Sequence, residues 1–276
     1  MESLLGTAVE RETALGSEHD AWTLHRVLLA DGREVLVKRA ARPGLFAAEA
    51  AGLRWLADAG PVAPVAPVLD VADDLLVLPW LEPTRPDASL AERFGRELAG
   101  THAAGPGEYG AAWDGLIAGL PLDNTPDPGP WARWYAERRL APYLRAPGLD
   151  GPTIRLVEQV IEDIDALAGP PEPPSRIHGD LWSGNIVWTA ERGVMIDPAA
   201  HGGHRETDLA MLALFGAPHL GRLLAAYDEA APLAGGWRDR VPLHQLHPLL
   251  VHVALYGESY REAVADAARR ALAARS

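Results

Sequence analysis

The chain has 276 residues, 48 % hydrophobic and 23 % charged, enough for one large domain or two lobes around a buried core. A formal charge of −13 opposes phosphate backbones and anionic lipid, so neutral or cationic small molecules are expected partners, and nucleic acid and membrane are not. The chain has no cysteine, hence no disulfide framework and no thiolate metal site; it has no apolar run near the roughly 18 residues of a membrane helix, and its start, MESLLGTAVERET, does not read as a signal peptide, so a cytoplasmic location is expected rather than that of a secreted chain stripped of its signal.

Residues 23–30 and 34–38 are β-rich runs around Asp31-Gly32, a strong hairpin signal. A helix follows, with Leu45, Ala48, Leu53 and Leu56 near one face and Gly60-Pro61 as its stop. The stretch PVAPVAPVLDVADDLLVLPWLEP reads as Pro-punctuated extended chain ending in an apolar strand, 75–78. Beyond Pro83 the pattern turns helical. Ser89 and Glu92 have capping-box spacing ahead of Leu90, Phe94 and Leu98. Pro and Gly crowd residues 119–130. Helices are expected over 131–144 and 153–167, and PPEPP, 170–174, stops the second. After Thr207 the chain is helical again, down to an amphipathic Ala/Arg-rich tail. The fold class is α+β: a small β-rich lobe, residues 1–79, then a larger mostly helical lobe, residues 80–276. A cleft between two lobes suits a small-molecule site.

The chemistry concentrates in RIHGDLWSGNIVW, 176–188, and VMIDPAAHGGHRETDLAM, 194–211. Ile186-Val187-Trp188 is a short strand, TAERG a turn, and Val194-Met195-Ile196 a returning strand. Paired as a hairpin, they make Asn185 and Asp197 neighbours, with Asp180 five residues before Asn185. Carboxylate and amide oxygens are hard ligands suited to Mg²⁺. The order H-x-D-x₄-N, then Asp after a strand, resembles the phosphotransfer site of protein kinases, although a purely structural Asn/Asp turn shares its local part. In that pattern Asp180 orients and deprotonates the attacking hydroxyl, while Asn185 and Asp197 hold Mg²⁺ on nucleotide phosphates. Such a site needs a cation on the phosphates and a backbone cradle over them. Lys38 closes the strand VLVK, and Glu49 in the next helix can pair with it. LGSEHDA, 15–21, is the cradle candidate ahead of the first strand, with backbone N–H groups around Gly16, Ser17 and His19.

Together, HGDLWSGN and IDPAAHGGHRETDLAM resemble the fructosamine kinase (ketosamine 3-kinase) family, as do LFG at Leu214–Gly216 and LHQLHPLLVHVALYGESY, 243–260. The resemblance implies the bilobal fold of protein kinases and aminoglycoside phosphotransferases. It implies ATP and Mg²⁺ as cofactors and transfer of the γ-phosphate to the 3-hydroxyl of a ketosamine. The acceptor is then a free glycated amine or a glycated protein lysine, and the unstable product sheds its sugar, which is deglycation. Asp180 carries over as base, Asn185 and Asp197 as metal ligands, Lys38 and Glu49 as the ATP ion pair, and Leu78-Pro79-Trp80 as the adenine linker.

On the acceptor side, Trp182 stacks on a sugar-like ligand or packs in the core; His204 and Glu206 bind the acceptor or brace the Asp197 loop. Asp208 caps a helix or orients the catalytic loop. His244, His247 and His252 read as helix-face residues rather than a metal site. Three departures stand out. His201-Gly202 replaces two aromatics common in the family. Pro79 has no N–H, so an adenine hydrogen bond must use the Leu78 or Pro79 carbonyl, or the N–H of Trp80 or Leu81. The phosphate loop has a single glycine. Two alternatives stay open: the same fold acting on an aminoglycoside, choline or a sugar, and a catalytically silent nucleotide-binding module.

Overall fold

In the computed structural model, which describes residues 5–18, 22–40 and 44–274, side-chain alternation sets the first layer. The strands β1 (Val9–Glu18), β2 (Trp22–Leu29) and β3 (Glu34–Ala40) precede helix α1 (Ala47–Ala57). β4 (Asp70–Ala72) and β5 (Leu75–Pro79) complete one antiparallel sheet of order β1-β2-β3-β5-β4. Val27, Leu29, Val35, Val37 and Val77 are buried together on one face. Leu76 and Leu78 point the other way and meet Phe46, Ala50 and Leu53. Lys38 follows Val37 and therefore turns toward α1.

Two strands differ from the expectation. β1 reads VERETALGSE, a charged edge strand largely exposed on both faces, so it has no apolar alternation to betray it. Gly16 and Ser17, expected in a loop ahead of the first strand, sit within β1 opposite Leu24 and Thr23. The register slips between Ala14 and Gly16, and Gly16 takes a φ of +146°, open to glycine and strained for other residues. The rest of that cradle, His19 to Ala21, lies outside the described residues. β4 is a three-residue edge strand in the Pro-rich stretch, at a point where no proline interrupts it.

The helical part begins with α2 (Ala88–Ala103). Its cap is Asp87, whose carboxylate accepts from Leu90 N at 2.9 Å, so the expected Ser89 cap falls inside the first turn instead. β6 (Gly115–Ile117) and β7 (Leu120–Leu122) form a small hairpin at the Pro/Gly-rich region. The helix expected over 131–144 is α3 (Trp131–Tyr135), continued by a π-helical turn, Ala136–Leu140, and a 3₁₀ turn, Ala141–Arg145. Pro142 has no N–H to extend an α-helical ladder. α4 (Gly151–Glu162) starts earlier than expected because Asp150 caps it, and a break at Asp163 separates it from α5 (Ile164–Leu167). β8 (Ser175–Ile177), β9 (Ile186–Trp188), β10 (Gly193–Met195) and β11 (His201–Gly203) make two short ribbons, β9 with β10 and β8 with β11. Helices α6 (Glu206–Phe215), α7 (Leu220–Ala230), α8 (Trp237–Tyr256) and α9 (Arg261–Ala273) close the chain around a core that includes Trp134, Val157, Leu246, Leu250 and Val264. No helix among the described residues is long and apolar enough to cross a membrane.

The sheet part is stitched to the helical part at three places. Met195 N donates to Pro64 O at 2.6 Å, and Ala66 N to Met195 O at 3.0 Å. Arg176 donates to Trp55 O at the end of α1 and, at 2.8 Å, to Ala104 O just past α2, with its guanidinium 4.7 Å from the Trp55 ring centre. Gly52 lets α1 rest on the loop after β10; a Cβ there would stand 3.1 Å from Ala200 Cβ. Glu49 lies one turn before Gly52, on the same side of α1, and so faces that loop.

Candidate active site

β8 delivers the chain to His178, Gly179 and Asp180, and the loop is held by one carboxylate. Asp208, in the first turn of α6, accepts from His178 N at 2.7 Å and from Gly179 N at 2.9 Å. His102 of α2 donates its Nε2–H to the same carboxylate at 3.1 Å, and its Nδ1 meets the Tyr227 hydroxyl at 2.8 Å. Burial alone would raise the Asp208 pKa, but His102 and these donors hold it below the ordinary aspartate value. His178 Nε2 lies 2.8 Å from Ile196 O, which can only accept, so Nε2 carries the proton and Nδ1 accepts from Asp180 N at 3.2 Å. Burial lowers the His178 pKa and keeps this ring neutral. Gly179 has φ +80°, and a Cβ there would overlap Ala199 O.

A 3₁₀ turn, Ser183–Asn185, carries Asn185 to the start of β9. β9 and β10 pair Ile186 with Met195 and Trp188 with Gly193, and Thr189 closes their turn through Arg192 O. Ile196 N then donates to Asn185 O at 3.0 Å. The open end of the hairpin thus juxtaposes Asn185 with the segment that carries Asp197. The Asn185 amide nitrogen donates to Asp180 O at 2.8 Å and to Asp180 Oδ2 at 3.1 Å. A backbone carbonyl only accepts, which fixes the amide orientation and turns Oδ1 outward.

Asp197 has φ +55°, a left-handed conformation that Asp tolerates better than most residues but that still carries strain. Lys38 Nζ, 2 % exposed, stands between Glu49 Oε1 at 2.7 Å and Asp197 Oδ1. Burial would lower the Lys38 pKa; the two carboxylates more than reverse this and hold it above the ordinary lysine value. Against the pull of burial, Lys38 holds Asp197 below the usual aspartate value. Burial, with the Asp197 charge, raises Glu49. Asp180 is pushed up to about 7, first by burial, then by the charges of Asp197 and Asp208, against the hydrogen bond from Asn185. The arrangement groups a carboxylate of raised basicity, an amide oxygen, a second carboxylate and a buried cation, which is a donor set for a hard cation and phosphate oxygens.

The other expected site residues divide. Leu78 and Pro79 end β5 opposite Leu36 and Val35. Trp80 N donates to Glu34 O at 3.0 Å, which removes it from the adenine options and leaves the Leu78 and Pro79 carbonyls and the Leu81 N–H. Trp182 is 41 % exposed, so it is not a core tryptophan. His204 is buried beside a small pocket bordered by Gly179, Trp134 and His201, and burial takes its pKa down to about 3. Glu206 is 2 % exposed between α6 and α8, with both oxygens on Arg240 at 2.6 and 2.9 Å. His204, Glu206 and His244 have ligand atoms within 4.8 Å of one another, but Arg240 already supplies the charge that Glu206 requires.

His201-Gly202 has a packing cause: Gly202 exchanges both backbone hydrogen bonds with Gly110, and a Cβ there would overlap Glu108 O. The loop through Gly110 occupies the space of a larger side chain. His102 escaped the sequence reading, and Tyr227 and Arg176 had no role assigned in it. They sit in ordinary amphipathic or β-edge contexts, and only HGD followed by Asp208 hinted that something must hold the loop.

The sequence profile of the family described as "Fructosamine kinase" matches residues 6–274. The chain belongs to the fructosamine kinase family. The probable ketoamine kinase of Thermus thermophilus is 34 % identical over 262 residues, covering 92 % of this chain and 94 % of that one. A solved candidate fructosamine-3-kinase of Thermobifida fusca superposes with a TM-score of 0.94 at 52 % identity, over 98 % of this chain and 96 % of that one. A thermostable mutant of aminoglycoside phosphotransferase APH(4)-Ia, in ternary complex with ADP and hygromycin B, gives 0.62 at 16 % identity over 96 and 95 %. That last likeness concerns the fold: a bilobal, aminoglycoside phosphotransferase-like kinase with an antiparallel N-lobe sheet and a larger helical lobe. Membership of a kinase family makes the chain a phosphotransferase.

Proposed function

We propose that this kinase transfers the γ-phosphate of ATP to the 3-hydroxyl of a ketosamine, a step that leads to deglycation. The supporting observation is the convergence of Asp180, Asn185, Asp197 and Lys38 from three separate segments at one hairpin mouth. Asp180 aligns the sugar hydroxyl and takes its proton as the phosphoryl group departs from the nucleotide; a pKa near 7 suits that exchange. Lys38, held straight by Glu49, neutralises phosphate charge. Asn185 Oδ1 and the Asp197 carboxylate would hold Mg²⁺, which supplies charge neutralisation on the phosphates. The outward Oδ1 and the hard oxygen set fit that ion. Most of the rate enhancement is positioning and electrostatics.

Gly16 and Ser17, near the β1–β2 turn, contribute backbone at the phosphates, and Leu78, Pro79 and Trp80 form the adenine linker through carbonyls and the Leu81 N–H. In this reading residues 1–79 are the nucleotide-binding lobe and 80–276 the catalytic and substrate lobe. Trp182 faces the acceptor. His204 and Glu206 brace the segment after Asp197 rather than touch the acceptor, because Arg240 and burial enclose them. The acceptor is a small ketosamine or a glycated amine in the cytoplasm, and the acidic surface favours its cationic amine.

The test is Mg²⁺-dependent ATP consumption across fructosamines, ribulosamines, aminoglycosides and choline. Turnover on ketosamines supports the proposal. Turnover on an aminoglycoside or choline alone moves the assignment to that acceptor, and ATP binding with no turnover on any would make this a silent module.

A further inference from the structure

Three of the large apolar side chains left exposed are not scattered. Trp182, Phe215 and Tyr256 are 41, 42 and 47 % exposed, and they belong to one connected aromatic strip. Ring centres step from Trp182 to Phe215 at 6.4 Å, edge to face, and from Phe215 to His252 at 5.2 Å. His252 then lies 5.6 Å from Tyr256 and 4.7 Å from Tyr260. The C-terminal ends of α6 and α8 bring these rings to the catalytic loop, where Trp182 stands two residues after Asp180.

The near end of the strip is fixed. The Trp182 ring lies across Gly184, where a Cβ would overlap it, and Phe215 meets it from the side. An exposed ring so held is a ready platform. His252 Nδ1 donates to Pro248 O at 2.7 Å, which fixes the ring within the strip.

The chemistry of the acceptor says what passes there. In a ketosamine the attacking oxygen is on C3 and the amine nitrogen on C1, two carbons away. The substituent on nitrogen therefore leaves the site close to Asp180. That nitrogen is a cationic secondary amine, and aromatic faces attract cations and stack on rings. We propose that the strip from Trp182 over Phe215 to His252, Tyr256 and Tyr260 is a subsite for the amine substituent and selects extended substituents that carry an aromatic ring. This rests on the ketosamine reading of the active site.

The test compares the fructosamines of tyramine and methylamine. In the wild type, KM for the tyramine adduct is expected about tenfold below that for the methylamine adduct. In Phe215→Ala/Tyr256→Ala the two KM values converge to within about twofold. Tyr256→Ser alone, at the most exposed ring, gives an intermediate ratio and keeps the test decisive if the double variant folds poorly. Equal KM values in the wild type, or a preference that survives both variants, overturns the subsite while leaving the ketosamine reading intact. Phosphorylation of neither adduct overturns both. A smaller sedimenting species in the variants, with the KM ratio unchanged, assigns the strip to contact between copies of the chain and overturns the proposal.

Discussion

Asp208→Ala removes the group from which the catalytic loop hangs. Its oxygens accept from His178 N, Gly179 N and His102 Nε2 at 2.7, 2.9 and 3.1 Å, and the residue is 1 % exposed. His178 and His102, at 1 and 2 % exposure, have no water to turn to. Each buried donor left without a partner costs roughly 1–3 kcal/mol, offset in part by release of the buried carboxylate's own desolvation penalty. A net loss of about 3–4 kcal/mol is expected at neutral pH. The native carboxylate pKa is depressed, so this stabilisation is present above the unfolded value of about 4 and fades as pH falls below it. The gap between parent and variant therefore narrows in acid. Asp180 adjoins Gly179 directly, and a loop displaced by about 1 Å lowers kcat about 100-fold. Urea unfolding at two pH values, steady-state turnover and calorimetric nucleotide affinity read the three quantities. Asp208→Asn recovers only part, because its amide nitrogen faces a donor. An Asp208→Ala variant with an unchanged urea midpoint and kcat within threefold of the parent would show that the loop does not hang from this carboxylate.

Asp180→Ala is expected to cut kcat at least 1,000-fold, on the order of a lost general base plus its positioning, while Mg-ATP still binds; equal loss of both would make Asp180 structural. With its pKa at about 7, the base is active only when deprotonated, so kcat/KM for Mg-ATP in the parent should fall tenfold per pH unit below about pH 7. A flat profile from pH 5 to 8 would contradict that protonation. Lys38→Met leaves Glu49 and Asp197 without their shared cation; ATP affinity should drop more than about tenfold and stability by about 3–5 kcal/mol, with Lys38→Met/Glu49→Leu regaining stability but not affinity. Glu206→Gln tests the α6–α8 brace. The Glu206 pKa of about 2 means its stabilisation is complete above the unfolded value near 4.5 and is lost toward pH 2, so the urea unfolding free energies of parent and variant should differ at pH 7 by about 2–3 kcal/mol and converge in acid. KM for the acceptor should stay within about twofold; a large acceptor KM effect without loss of stability would place Glu206 at the substrate instead.

Elements whose signal is local were legible in the chain. Asp31-Gly32 and the β-branched runs around it specify a hairpin; alternation then decides that Lys38 leaves the sheet on the face opposite Val37. Asn185 and Asp197 were legible as neighbours because a short turn between two short apolar strands closes them into an antiparallel hairpin. The rest emerged only in three dimensions, because long-range pairing leaves no periodic trace. β1 is a polar edge strand without alternation, so its place beside β2, and with it the position of Gly16 and Ser17, comes from the backbone ladder and from contacts such as Glu12 with His25, none of which leaves a periodic trace. His102, 106 residues from Asp208, reads as one more buried residue of an amphipathic helix until the fold brings the two within 3.1 Å. Glu206 looked as able to face a substrate as a partner; Arg240, 34 residues later and a helix away, settles its surroundings because a buried carboxylate must find a cation.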